Sequence, residues 1–361
     1  MSGQVLRVAV FGAGTVGREV IRALTERREE LAVDGRPALE LSGIAVRDVE
    51  AAARRGLPAE LLTDAPAHLL ASGGADVVVE LMGGEEPART LIAAALGAGL
   101  PVVTANKHVL AHHGTELESI ARRTGAALRF EASVGGGIPV LGPLARDLAG
   151  NRVAAIRGIV NGTTNYILTA MTDEGRDYDA VLALAQAAGY AEADPSGDVE
   201  GHDAVNKLVI LARLAFGAWL DPEAIATSDD AADAPGRGQP GITGVTAADI
   251  AAAAARGQVV KLLASASRDS GALADDGPIE ARVVATRVAA DSAFGRTSGV
   301  LNRIEVEASP AGTVAFSGPG AGGPATSSAV LGDLLAIAAG AGSTWASLPA
   351  ARSAAASGTR R

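Results

Sequence analysis

The stretch "RVAVFGAGTVGREVIRALTER" constrains this chain more than any other. It reads as a short buried strand, a glycine turn and then a helix. Val8 to Phe11 are apolar without alternation, as in a parallel strand covered on both faces. Gly12, Gly14 and Gly17 follow at G-x-G-x-x-G spacing, with Thr15 and Val16 between them. The first glycine permits a tight turn. The second leaves the backbone open to a bulky anion, and the third lets helix and strand pack closely. The helix start attracts phosphate through its free N–H groups. After a buried strand near the chain start, the motif reads as a dinucleotide site rather than a structural turn.

The second strand ends in "AVRD", with Arg47 beside Asp48. An acid there suits a ribose hydroxyl, and an arginine suits a 2′-phosphate. The reading leans to NADP through Arg47, with NAD tolerated. "ADVVVELMGG", "PVVTANK" and "ALRFEASVGGGIPV" supply further strands, with the helix "PARTLIAAALGAG" between the first two. Short Val/Ile-rich runs alternating with helices indicate a parallel sheet with crossover helices. The expected fold is α/β: a Rossmann-type nucleotide-binding domain over residues 1–140, then an α+β substrate and dimerisation domain over 141–317. The second part is expected to hold helices around 165–190 and 200–217. A loop over about 221–241 leads into one long helix "TAADIAAAAARGQVVKLLASA", then the strands "IEARVVATRV" and "LNRIEVEAS". A return segment to the first domain is expected over 318–342, opened by the glycine loop around Gly320, and a disordered tail over 343–361.

Composition removes several functions. With 41 acidic and 31 basic residues the net charge is −10, which repels phosphate backbones and argues against nucleic acid as a partner. The chain has no cysteine, so disulfides, thiolate metal sites and cysteine nucleophiles are excluded. No apolar run approaches the roughly 18 residues of a membrane span, and no secretory start is visible. The expectation is a cytoplasmic protein with no membrane partner.

"EADPSGDVEGHDAVNK" places five carboxylates and one lysine directly before "LVILARLAFG". Pro195 and Gly197 argue against regular helix at its start. Asp203 and Lys207 are then four apart on the helix that follows and share a face. A lysine one turn before an all-apolar run is partly buried, and beside a carboxylate it is suited to proton transfer. The bland alternative is a salt bridge with acids at a helix start. Lys107 and Thr104 close the strand ending in "TANK", where open α/β sheets bind ligands. His108, His112 and Glu116 have helical spacing that could hold a metal but lack the HExxH order, so a solvated face is favoured.

Taken together, "GAGTVG", "ELMGG", "TANK", "EASVGGGIP", "NGTTNYIL", "GYAEADPSGDVEGHDAVNKLVILARLAFG", "GVTAADI" and "GPGAGGPATSSAVLGDL" resemble the homoserine dehydrogenases, in the family's order and over roughly residues 5–340. The resemblance implies reversible, NAD(P)H-dependent reduction of L-aspartate 4-semialdehyde to L-homoserine in a homodimer. It implies Lys207 as the proton-transferring lysine with Asp203 beside it, and Lys107 as a second site lysine. Glu192 and Asp198 would bind substrate, and Gly162 and Thr163 would lie in a loop over the substrate. Glu131, with backbone oxygens of Val134, Gly136 and Ile138, would match a sodium-type site, and Gly320 would lie in the segment returning to the cofactor domain. Many family members continue into a regulatory domain of the ACT type. The expectation here is a short form without it and without threonine feedback through it. The segment from Asp221 to Pro240 and the strands near 279–305 fit the family pattern least. Rival readings are an amino-acid dehydrogenase of the same cofactor class and a non-catalytic dinucleotide sensor, the latter disfavoured by the presence of both lysines.

Overall fold

The computed structural model describes residues 5–32, 35–71, 73–268 and 277–353. The chain divides into two compact units, Met1–Arg146 with Ala321–Ala350, and Asp147–Gly320 with Ala351–Arg361.

The first unit is built on a sheet of β1 (Val5–Phe11), β2 (Ala38–Ala45), β3 (Leu62–Thr63), β4 (Val77–Glu80), β5 (Val102–Thr104) and β6 (Leu128–Arg129). Every pairing in it is parallel, and the order is β3-β2-β1-β4-β5-β6. The order reverses direction between β1 and β4, and that is where such sheets open a crevice at their carboxyl ends. The connecting helices are α1 (Thr15–Glu26), α2 (Arg28–Leu31), α3 (Val49–Arg54), α4 (Pro66–Ala71), α5 (Ala88–Gly97) and α6 (Lys107–Thr124). Val8, Val10, Val77 and Val79 are fully buried and pack with Val20, Ile21 and Leu24 of α1. Each such side chain contributes about 1.5–3 kcal/mol through burial, so the continuous apolar runs that predicted this sheet are also what holds it together.

The second unit carries the helices α7 (Gly162–Glu174), α8 (Tyr178–Ala187), α9 (Ser196–Val199), α10 (His202–Phe216) and α11 (Ala247–Ala254). Its strands are β7 (Arg152–Ile159), β8 (Ala218–Trp219), β9 (Gln258–Arg268), β10 (Ile279–Ala289), β11 (Leu301–Ser309) and β12 (Gly312–Pro319). The main sheet is antiparallel with order β10-β9-β7-β11-β12. Twelve residues of α10 are buried, from Ala204 through Leu214 without a break and then Phe216. It is an interior helix, as its all-round apolar sequence predicts.

One expectation fails in this unit. The single long helix over "TAADIAAAAARGQVVKLLASA" ends at Ala254, and Gly257 turns the chain at φ +67°. Gln258–Arg268 is instead a strand, paired residue for residue with β10 from Gln258↔Ala289 to Arg268↔Ile279. A run of alanines followed by Val-Val-Lys-Leu-Leu reads as helix locally, and a full-length strand partner overrides it. Gly312–Pro319 pairs with β11 as an edge strand, and its last two residues overlap the start of the expected return segment.

The chain then returns to the first unit as α12 (Gly323–Ala338). Val330, Leu331, Leu334 and Ala338 of α12 join the core around β1 and α1. The return continues past residue 342. Trp345 is 1% exposed, its ring centroid is 5.2 Å from that of Phe130, and Ser343 Oγ accepts the Leu128 N–H at 3.0 Å. A disordered tail from Ser343 is therefore corrected over Ser343–Ala350, because one large indole finds an apolar socket there. Arg352–Ser353 forms β13, paired parallel with β8. Residues 354–361 of the expected tail lie outside the described residues.

Candidate active site

The glycine turn after β1 sits at the reversal point of the parallel sheet. Gly12 has φ +97°, and a Cβ on it would lie 2.5 Å from the Leu81 carbonyl oxygen, just past β4. A Cβ on Gly17 would lie 2.1 Å from the Gly12 carbonyl oxygen. Both glycines are demanded by backbone packing. Gly14 differs: nothing lies within 4 Å of the place its Cβ would take. Gly14 is also the N-cap of α1, without a side-chain cap, and no acidic residue occupies the first turn. Thr15 and Val16 are the first helical residues. An open backbone facing uncapped N–H groups at a helix start fits a pyrophosphate.

At the end of β2 the adjacent arginine and aspartate take separate parts. The Asp48 carboxylate accepts the Ala51 N–H at 2.8 Å and caps α3, while Arg47 is exposed. On the other side of β1 a buried network joins the ends of β4 and β5. The Thr104 hydroxyl donates to Glu80 Oε2 at 2.6 Å and accepts the Asn106 N–H at 2.9 Å. Glu80 Oε1 accepts the Met82 N–H at 2.8 Å, and Asn106 Nδ2 donates to the Gly84 carbonyl at 2.8 Å. Burial pushes the Glu80 carboxyl above its ordinary pKa, against the pull of these hydrogen bonds. The Thr104 side chain was expected to meet a cofactor, but it is fully buried and spent on Glu80. Glu80, which in the linear chain is only a strand end, is the residue that organises both loops. A lone acid closing a buried Val-Val-Val run was the signal for it. Lys107 is the first residue of α6, capped by the Asn106 side chain, and is half-buried.

Glu131 follows β6 and is held from two sides. Its Oε1 accepts the N–H groups of Val140 and Leu141 at 2.7 and 2.8 Å, and Oε2 accepts that of Gly142 at 2.7 Å. Its own N–H donates to Asp333 Oδ2 at 2.8 Å. Burial is the main cause raising the Glu131 carboxyl above its ordinary pKa, with the Asp333 charge adding to it. The carboxylate thus folds the 140–142 turn back on itself, and both of its oxygens already accept hydrogen bonds. Val134, Gly136 and Ile138 lie in the turn between, with Gly136 at φ +59° and the Ile138 N–H bonded to the Gly135 carbonyl. Glu131 Oε2 accepts one hydrogen bond where Oε1 accepts two, so a lone pair on Oε2 is the part of the carboxylate left for a cation.

In the second unit three element starts converge. Lys207 and Asp203 occupy successive turns of α10, with Nζ 2.7 Å from Oδ2 and side-chain exposures of 10% and 11%. Lys207 Nζ also donates to the Val160 carbonyl at 2.7 Å, at the end of β7. Asn161, the N-cap of α7, donates from Nδ2 to Asp198 Oδ1 at 2.7 Å and to Asp203 Oδ2 at 2.8 Å. Its Oδ1 accepts the Thr164 N–H at 2.9 Å. Asp198 lies in α9, which begins at Ser196 with Pro195 as its N-cap. The "DPSGD" segment therefore forms one helical turn where no helix was expected, because proline is tolerated at a helix start. Gly201, at φ +91°, then turns the chain into α10.

The other acids of the segment part ways. Asp194 Oδ1 accepts the Ser196 N–H at 3.1 Å, and Glu200 faces His202 at 3.2 Å. Glu192 is exposed, and its backbone carbonyl accepts from Gln186 Nε2 at 3.0 Å. Glu192 is not hydrogen-bonded into the Lys207 cluster among the described residues. Gly162 and Thr163 form the first turn of α7 rather than a loop. A Cβ on Gly162 would lie 2.9 Å from the Val300 carbonyl oxygen, and Thr163 Oγ1 donates to the Tyr190 carbonyl at 2.9 Å. Gly320 ends the second unit, and a Cβ there would lie 2.1 Å from Asn302 Oδ1. Its lack of a side chain is explained by Asn302.

On α6 the helical His/Glu spacing serves surface pairs. His113 Nε2 lies 2.6 Å from Glu85, Glu116 holds Arg89 at 2.8 Å, and the His108 and His112 rings are 4.3 Å apart. Among the described residues no cluster of His, Cys, Asp or Glu could hold a metal, and no helix is long and apolar enough to cross a membrane.

A glycine turn at the switch point of a parallel sheet and, in a separate unit, a buried lysine–carboxylate pair accompany matches that make this chain a nicotinamide-dinucleotide-dependent oxidoreductase acting on a CH–OH group. A family model described as homoserine dehydrogenase, NAD binding domain, matches residues 12–131, and one described as homoserine dehydrogenase matches residues 139–335. The chain belongs to the homoserine dehydrogenase family. The homoserine dehydrogenase of Corynebacterium glutamicum is 44% identical over 357 residues, which cover 97% of this chain and 77% of that protein. The crystal structure of a homoserine dehydrogenase from Thiobacillus denitrificans superposes with a TM-score of 0.84 at 36% identity, covering 94% of this chain and 74% of that one. A hyperthermophilic archaeal homoserine dehydrogenase in complex with NADPH superposes with a TM-score of 0.74 at 25% identity, covering 97% of this chain and all of that one (100%).

Proposed function

We propose that this chain interconverts L-homoserine and L-aspartate 4-semialdehyde with NADP as the preferred dinucleotide, NAD being accepted. The observation that carries the reading is the Lys207–Asp203 pair, 2.7 Å apart and almost closed to water at the start of a buried helix. Gly12, Gly14, Thr15, Val16 and Gly17 would hold the pyrophosphate, and Arg47 the 2′-phosphate. The bound dinucleotide supplies or accepts the hydride at the substrate's carbonyl carbon.

In the direction of reduction, negative charge grows on the aldehyde oxygen. Lys207 Nζ gives its proton to that oxygen as the charge develops. Asp203 and the Val160 carbonyl accept two of its three N–H bonds, which leaves one donor to aim at the substrate. In the direction of oxidation, neutral Lys207 takes the hydroxyl proton. Asp198 and the exposed Glu192 are the acids available to the substrate's ammonium group. Lys107, at the opening of α6, supplies a second positive charge. Gly162 and Thr163 shape the wall at the start of α7. Oxidation releases a proton, so high pH favours it.

The test follows NADPH absorbance on addition of L-aspartate 4-semialdehyde, with NADH in parallel and homoserine plus NADP at alkaline pH as the reverse. Substrate-dependent loss of NADPH supports the proposal. Silence in both directions from folded protein that binds cofactor points to dinucleotide sensing or to a different small carbonyl substrate. Three finer parts of the reading have their own checks. A homodimer predicts twice the chain mass by light scattering. Sodium held at Glu131 and the turn oxygens of Val134, Gly136 and Ile138 predicts a higher melting temperature in sodium than in choline at equal ionic strength. Cytoplasmic residence predicts co-fractionation with soluble protein.

A further inference from the structure

We infer that Asn161 is a positioning residue for the proton-transfer pair: its side-chain amide holds Asp198 and Asp203 in one arrangement and thereby aims Lys207. The inference rests on the proposed role of Lys207 and adds to it a residue of a different chemical kind, on a different element.

The orientation of the Asn161 amide is unambiguous. Its oxygen accepts the Thr164 N–H of α7, so the nitrogen must face the two carboxylates, and it lies 2.7 Å from Asp198 and 2.8 Å from Asp203. Both amide hydrogens are therefore used, one on each acid. Asn161 is 4% exposed, so these bonds are shielded from water. The two carboxylates come from different helices, Asp198 from α9 and Asp203 from α10, with Gly201 at φ +91° between them. Two like charges near one another repel, and a shared neutral donor with two hydrogens lets both stay in place without adding a charge.

Asp203 Oδ2 is a double acceptor, taking Lys207 Nζ at 2.7 Å and Asn161 Nδ2 at 2.8 Å. Removing the amide hydrogen takes away the Asn161 contact to the oxygen that Lys207 meets, and the aim of Lys207 shifts with it. Lys207 is also tied to the Val160 carbonyl, the residue just before Asn161. The chain at 160–161 thus touches the lysine through its backbone and the lysine's carboxylate partner through its side chain. A cap alone needs only the Asn161 oxygen. The nitrogen contacts are the part that a helix cap does not explain.

Asn161→Asp separates the two duties. Aspartate caps a helix as well as asparagine, so the Thr164 bond is kept. As a carboxylate it donates to neither acid, and it faces Asp198 and Asp203 with a third like charge, where the amide gave each a hydrogen. The expected result for the purified full chain is a fall in kcat of about tenfold or more in both directions, the scale of a mispositioned catalytic group. The melting temperature falls, because a third charge enters a buried site, so kcat is taken per folded enzyme well below the transition; the KM for the dinucleotide stays near that of the unsubstituted protein. Asn161→Ala, which loses cap and donor together, loses kcat and also melting temperature. Lys207→Ala serves as the control for the underlying role. If Lys207→Ala keeps its turnover, the proton-transfer reading itself is wrong, and the role of Asn161 falls with it. If Lys207→Ala is inactive while Asn161→Asp retains kcat, Asn161 is a helix cap only and the inference is overturned. It is overturned equally if the loss of activity in Asn161→Asp merely tracks a loss of folded protein.

Discussion

Asp203 and Lys207 are four residues apart on α10, and their charged ends meet at 2.7 Å with about one tenth of each side chain exposed. An exposed pair at this spacing contributes only a few tenths of a kcal/mol to a helix. Here the pair opens a helix whose next seven residues, Leu208 to Leu214, are all buried. That setting favours a chemical use over a surface salt bridge.

Lys207→Ala is expected to lower kcat about 10²–10⁴-fold, the range of a lost general acid–base group. Dinucleotide binding, which belongs to the other unit, is expected to stay unchanged. Stopped-flow measurement of turnover beside a fluorescence titration of NADPH checks both halves.

Gly14 and Gly17 are expected to respond in opposite ways to alanine. At Gly17 the new methyl would meet the Gly12 carbonyl at 2.1 Å, which forces backbone to move, so the melting temperature falls. The cost is about 1–3 kcal/mol. At Gly14 the methyl enters open space, and the fold is kept. NADPH affinity falls all the same, since the methyl occupies the approach of the pyrophosphate. Calorimetric melting and a binding titration on the two variants distinguish the effects.

Arg47→Ala is expected to raise the KM for NADPH by about tenfold while the NADH value changes little, as when one charge-assisted contact to a phosphate is lost. The cap that Asp48 places on α3 is untouched by this change. Initial-rate kinetics with both dinucleotides test it. Equal loss with both would assign Arg47 a structural part.

Lys261 sets an expected pH dependence of stability. It lies buried on β9, donating to Asn165 Oδ1 at 3.0 Å and the Thr297 carbonyl at 2.7 Å, and burial pushes its pKa down to about 8. An unfolded lysine keeps its proton up to about 10.4. Between these values the unfolded chain binds more protons than the folded one, so stability rises with pH across that interval. The cost of burying the charge is fully present below pH 8 and is relieved as pH climbs through the folded value. Lys261→Met is expected to lose this slope, by on the order of 1–3 kcal/mol over the interval. Urea unfolding at pH 7 and pH 10 for both proteins measures it.

The parallel sheet, the glycine cradle and the pairing of Asp203 with Lys207 were all readable in the linear chain, because each depends on near neighbours. Apolar runs announce doubly covered strands. Gly12, Gly14 and Gly17 fall within six positions, and four residues make one helical turn. Long-range partners decided the rest. Gln258–Arg268 became a strand only because β10 offers eleven residues to pair with. Trp345 left its expected tail because Phe130 provides a socket 215 positions earlier. The Glu80–Thr104 bond spans 24 positions, and the two bonds from Asn161 span 37 and 42. A side chain's hydrogen-bond partner across such spans carries no local periodicity. Which carboxylate meets the lysine, which one caps a turn and which one stands in water therefore follows only from the packing of α7, α9 and α10.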